Sequence, residues 1–136
     1  MAASIYVADS WRTATPANPE AQSLWLDDTA IYWHLYRYFE AANLDRRHEL
    51  IDLYGGAEIE GYQLDRLDDE LRAARADAAH RPESWTILTG WNDSRSRENE
   101  ILGKVERHEL LMTIDKLLAL VAFAREKNLK LIVSGD

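Results

Sequence analysis

An α+β fold, a small and mostly antiparallel sheet of about four to five strands covered by three helices, is what this chain predicts. Two long segments, Tyr62 to His80 and Arg107 to Lys127, carry apolar residues at three- and four-residue spacing. Short β-branched and aromatic runs stand at both ends of the chain, and two more flank a polar loop near its middle. Helical periodicity and strand-like runs together imply a sheet from the terminal strands and the central hairpin, covered by helices. The 136 residues are read as one domain, 1–136, long enough to bury a core without help from metals or disulfides.

"SIYVADSW" (Ser4 to Trp11) predicts the first strand, with Ile5 and Val7 on one face and Tyr6 on the other. "RTATPANPEAQS" follows with Pro16 and Pro19 among small polar residues and reads as a loop. Asp27, Asp28 and Thr29 then offer an N-cap and negative charge to a helix reaching about Asn43. Its inward face is expected to carry Ile31, Leu35, Tyr38, Phe39 and Ala42. Trp33 and Tyr36 broaden that face, so the helix is either surrounded by the fold or shares its aromatic surface with another chain.

Leu50, Ile51, Leu53 and Ile59 predict one short strand or two, broken at Gly55-Gly56, where a turn with positive φ is expected. From Tyr62 to His80, Leu64, Leu67, Leu71, Ala74 and Ala78 form the cleanest amphipathic stripe in the chain, ended by Arg81-Pro82. "SWTILTGW" and "EILGKVE" predict an antiparallel hairpin around the polar tip "NDSRSREN", expected to be mobile. "RHELLMTIDKLLALVAFAREK" predicts a central helix with Leu110, Ile114, Leu117, Leu118 and Val121 inward and Leu120 and Phe123 extending the apolar surface. "LKLIVSGD" closes the chain as a strand.

The absence of cysteine removes disulfides, thiol nucleophiles and thiolate metal sites. "MAASIYVADSW" has no basic n-region or unbroken apolar h-region, and no stretch approaches the roughly 20 apolar residues of a membrane span, so a soluble, cytoplasmic protein is expected. The net charge of −8 is one-sided: between Asp27 and Glu70 stand twelve acids and four arginines, an excess of eight, and the remainder is neutral. Such a surface repels a phosphate backbone and attracts a basic protein, so no nucleic-acid and no membrane partner is expected.

Glu58 and Glu60 share one face if "AEIEG" is extended, and with Asp52 they suggest a divalent-metal or acid-base site. The plainer reading is a solvated acidic edge, because the spacing matches no calcium loop. His34, His48, His80 and His108 never fall at the spacing of a helical zinc pair. His34 reads as an exposed helix residue, or as the polar side of a recognition face beside Arg37. Arg95 and Arg97 in the hairpin tip are candidates to grip a carboxylate or phosphate. No G-x-S-x-G elbow, phosphate loop or G-x-G-x-x-G fingerprint occurs, so hydrolase and nucleotide-binding readings have no support and no cofactor is assigned.

"YWHLYRYFE", "IDLYGGAEIEG", "LDRLDDELRAA", "WTILTGW" and "KVERHELLMTIDKLLALV" together resemble a family of small, poorly characterised acidic bacterial proteins, over most of Asp28 to Asp136. These motifs are structural in kind and carry no activity with them. In size, acidity and lack of catalytic motifs the chain is similar to the immunity proteins with which bacteria neutralise secreted toxins. The expectation is therefore a binding protein rather than an enzyme, one that shields a basic bacterial partner. Trp33 and Tyr36 would anchor the contact, with Asp52, Glu58, Glu60, Asp68 and Asp69 supplying charge. The alternatives are a metal-dependent enzyme or small-ligand protein using Asp52, Glu58 and Glu60, and a homodimer pairing through the aromatic helix or the Leu120/Phe123 surface.

Overall fold

Residues 2–10, 23–45, 47–91 and 100–135 are described by the computed structural model. The loop predicted over Arg12 to Ser23 lies outside them but for its last residue, and the tip 92–99 with Arg95 and Arg97 lies outside them altogether. The elements are β1 (Ala2–Ala8), β2 (Leu24–Asp27), α1 (Ala30–Ala42), β3 (Gly56–Ile59), α2 (Tyr62–Ala79), β4 (Ser84–Trp91), β5 (Glu100–Glu106), α3 (Arg107–Lys127) and β6 (Lys130–Gly135). This is the expected α+β architecture of three helices on a mostly antiparallel sheet.

The sheet has the order β2-β1-β6-β3, every neighbouring pair antiparallel. Its two inner strands come from opposite ends of the described chain, with Ala3 opposite Gly135 and Tyr6 opposite Ile132. Ile5 and Val7, expected on one face of the strand, are both buried, and Leu131, Ile132 and Val133 join them in the core. The hairpin β4-β5 does form, with an irregularity between Leu88 and Gly90, but as a separate two-stranded sheet rather than as part of the larger one.

α3 is the central helix. It packs on β1, β6 and β2 and also meets α2 and β5. Leu110, Ile114, Leu117, Leu120, Val121 and Ala124 are its buried residues, so Leu120 takes the inward place expected of Leu118, which is only half-buried. Asn128 ends the helix in the left-handed conformation at φ 54°, and the Leu129 N–H donates to the Ala124 carbonyl at 2.8 Å. In α2 the predicted stripe is buried without exception, from Leu64 to Ala78. α2 packs between α3 and α1.

The positive φ expected at Gly55-Gly56 belongs instead to Gly61, at φ 55° and ψ −130° immediately before α2. That region is open to glycine and strained for residues with a Cβ. Leu50, Ile51 and Leu53 enter the core from turns rather than from a strand, and only Gly56–Ile59 pairs in the sheet. Local bonds bend this segment: Tyr54 N–H donates to Asp52 Oδ1 at 2.9 Å, and Arg47 N–H to Asp45 Oδ1 at 3.1 Å. β6 then closes on the same turn, where the Gly135 N–H donates to the Gly55 carbonyl at 2.6 Å.

Candidate functional site

α1 is where aromatic and acidic residues meet. Its expected N-cap position is correct, since Thr29 is extended, but no side chain caps the helix there. The acids before it serve tryptophans instead. Trp33 Nε1–H donates to Asp28 Oδ1 at 2.6 Å, and Trp25 Nε1–H to Asp27 Oδ1 at 2.8 Å.

Three rings in succession build the face. Tyr32 is buried and its hydroxyl donates to the Ile51 carbonyl at 2.8 Å, which ties α1 to the loop after it. Trp33 and Tyr36 flank it half-buried, with ring centroids 5.0 and 6.1 Å from that of Tyr32 and 5.6 Å from each other. Tyr36 donates its hydroxyl to Glu49 Oε1 at 2.8 Å. Partial burial, the bond to Glu49 and the charges of Glu49, Glu40 and Asp52 push the Tyr36 phenol up to about 12. Tyr32 is raised as well, first by burial and then by Glu49, Asp52, Tyr36 and Asp28.

Asp28, Glu40, Glu49 and Asp52 thus direct negative potential at one aromatic surface, and none of the four forms an ion pair among the described residues. Beside it lies a groove of about 310 Å³. Tyr36, Phe39 and Glu40 of α1 line one side, and the loop from Arg47 and His48 through Glu49 to Ile51 lines the other, so the groove holds basic as well as acidic side chains.

The other acids named from the sequence are placed elsewhere. Glu58 and Glu60 do reach one side of the sheet edge, but both meet Lys130 Nζ, at 3.0 and 3.5 Å. Asp68 is buried at 7% exposure between Arg72 at 2.8 Å and Arg125 at 3.7 Å, where it joins α2 to α3. Asp69 is exposed on α2 and forms no ion pair among the described residues, though its charge reaches Arg72. Of the seven predicted site residues, Trp33, Tyr36 and Asp52 come together, and the remaining four do not join them.

Asp52, Glu58 and Glu60 do not build a metal centre: among the described residues no group of three His, Asp or Glu side chains is placed to hold an ion. His34 departs further from expectation. It is neither exposed nor part of the recognition face but buried at 5% exposure against Trp85 of β4. Asp28, Glu40 and Glu49 were missed as site residues. Glu40 follows Tyr36 by four residues, a helical signal that was legible, whereas Glu49 arrives through a loop whose path no periodicity encodes.

Among the described residues no helix is long and apolar enough to cross a membrane. Comparison with known proteins found no matching family model, no matching curated protein and no matching solved structure.

Proposed function

We propose that this chain is a cytoplasmic binding protein that neutralises or shields a basic bacterial protein through the Trp33/Tyr36 face of α1, with a toxin-immunity role as its most concrete form. The observation that carries the reading is the contrast among the acids. Asp45, Glu58, Glu60, Asp65 and Asp68 are matched by cations of the chain itself, while Asp28, Glu40, Glu49 and Asp52 surround aromatic rings with no ion pair among the described residues. Trp and Tyr supply large contact area at small entropic cost, and complementary charge speeds encounter and rejects wrong partners. A partner's Lys or Arg side chain would meet carboxylates and ring faces together, a combination that favours cations.

The test is an affinity capture from lysate of the native host, with bound proteins identified by mass spectrometry and on-rates then measured at two salt concentrations. Wild type is expected to retain a basic protein whose association slows when Glu49 and Asp52 are changed to Lys, and weakens when Trp33 is changed to Ala. Glu58→Lys with Glu60→Lys is expected to alter association much less. Equal on-rates and equal salt dependence for wild type and the Glu49/Asp52 variant would overturn the reading.

A further inference from the structure

The face proposed above leaves one buried titratable group of α1 unused. His34 points away from it, into the seam between α1 and the β4-β5 hairpin. The imidazole is 5% exposed, and its Nε2 is buried without a hydrogen-bond partner. Its neighbour Trp85 is in the same condition, with a buried Nε1 that also lacks a partner. The two rings meet edge to face at 5.3 Å and 63°. Two orphaned polar atoms in one apolar seam are unusual, since most buried polar groups are satisfied.

The charges around this seam are mostly positive. Arg37 of α1 lies 4.9 Å over the Tyr38 ring, and Arg81, after α2, lies 4.9 Å over the Trp85 ring. Both guanidiniums share one carboxylate, Asp77 of α2, at 3.5 and 2.8 Å. Arg107 at the start of α3 adds a third guanidinium, bonded to the Arg81 carbonyl at 2.7 Å. From β5 the residue opposite Trp85 is the apolar Val105, and its neighbours Lys104 and Glu106 are exposed and pair with each other.

We infer that His34 is an acid-sensitive latch whose protonation releases the β4-β5 hairpin from α1. A second proton on the ring would create a buried cation whose Nε2–H has no acceptor among the described residues, beside two arginines that already share one carboxylate. Burial first, then Arg37 and Arg81, hold the imidazole down to about 4, against a smaller opposing pull from Asp77. Relief requires that Trp85 move away so that the ring can reach water. The hairpin is suited to move because it forms no strand pairing with the four-stranded sheet, and a two-stranded ribbon derives its stability from what it packs against. Its release would uncover Trp85, Ile87 and Val105, an apolar surface absent at neutral pH.

The experiment follows the whole wild-type protein by NMR from pH 7.5 to 4.5, reading the His34 ring nitrogens, the Trp85 indole N–H and amide exchange corrected for intrinsic rate. The hairpin's opening constant is expected to rise by up to about tenfold per pH unit below the ordinary histidine range, while amides of β1, β6 and α2 keep their protection. His34→Phe and His34→Gln should both remove this dependence. If neither variant folds, the wild-type titration still decides. Titration of His34 in the ordinary range with unchanged hairpin protection would overturn the proposal, as would simultaneous loss of protection in every element or equal acid sensitivity in a folded His34 variant.

Discussion

At the scale of single residues, burial decides what each polar group contributes. His34 has a folded pKa near 4 and an ordinary value of 6.5, so the unfolded chain binds the proton first. Stability is therefore complete above pH 6.5 and falls as pH drops toward 4, by at most about 3 kcal/mol from the 1.36 kcal/mol carried by each pKa unit, less what local release recovers. Urea denaturation of wild type and His34→Phe at pH 7.5 and 4.5 checks this, with the acid loss confined to wild type. Asp68 presents a different balance. Its partners Arg72 and Arg125 have side chains 69% and 47% exposed, so Asp68→Ala leaves cations that return to water rather than stranded charges. A loss of about 1 kcal/mol is expected, not the 3–5 kcal/mol of a broken buried pair, and thermal melts with denaturant titration would measure it. Tyr32→Phe removes the buried bond to the Ile51 carbonyl and should also cost about 1 kcal/mol.

At the scale of elements, α2 and α3 were legible because each holds a long apolar stripe whose period exceeds the noise of individual residues. Their ends depend on contacts that sequence hides. α1 is finished by another helix: Gln63 Nε2–H donates to the Ala42 carbonyl at 2.6 Å, its Oε1 accepts from the Leu44 N–H at 3.0 Å, and Arg66 donates to the Ala41 carbonyl at 3.0 Å. These are the carbonyls every helix leaves unsatisfied. Gln63→Ala is expected to cost about 1 kcal/mol and to raise amide exchange near Leu44, because a part-buried bond and an exposed one are lost together. β2 went unseen because "LWLD" is four residues long, too short for its alternation of buried Leu24 and Leu26 with exposed Trp25 and Asp27 to stand out. Leu50 to Leu53 misled for the opposite reason. Their apolar run resembles a strand, yet side-chain-to-backbone bonds from Asp45 and Asp52 turn the chain before it can pair.

At the scale of the whole molecule, β1 and β6 pair at the sheet's centre, and the end of β6 also lies tight against the turn that precedes β3. A Cβ on Gly135 would stand 2.5 Å from the Gly55 carbonyl oxygen and 2.6 Å from that of Leu53. Both are backbone atoms, which cannot swing aside. Gly135→Ala is therefore expected to destabilise the fold by about 1–3 kcal/mol, read as a lower denaturation midpoint with unchanged slope. The charge distribution is decided at this scale too. Composition predicted an acidic segment of twelve carboxylates, but folding matches four of them, Glu58, Glu60, Asp65 and Asp68, with Lys130, Arg72 and Arg125 and gathers another four, Asp28, Glu40, Glu49 and Asp52, around Trp33 and Tyr36.

What the sequence determined by itself was the α+β class, the three helices, the hairpin, and the location of the excess negative charge along the chain. Each of these is a local property, written in periodicity or in composition over neighbouring residues. The tertiary structure alone decided that β4-β5 forms its own sheet, that His34 lies in an apolar seam, and that Asp52 joins the aromatic face while Glu58 and Glu60 meet Lys130. Those outcomes depend on pairs far apart in the chain, such as Glu58 with Lys130 and His34 with Trp85, and a one-dimensional pattern contains no term for which distant residue arrives as neighbour.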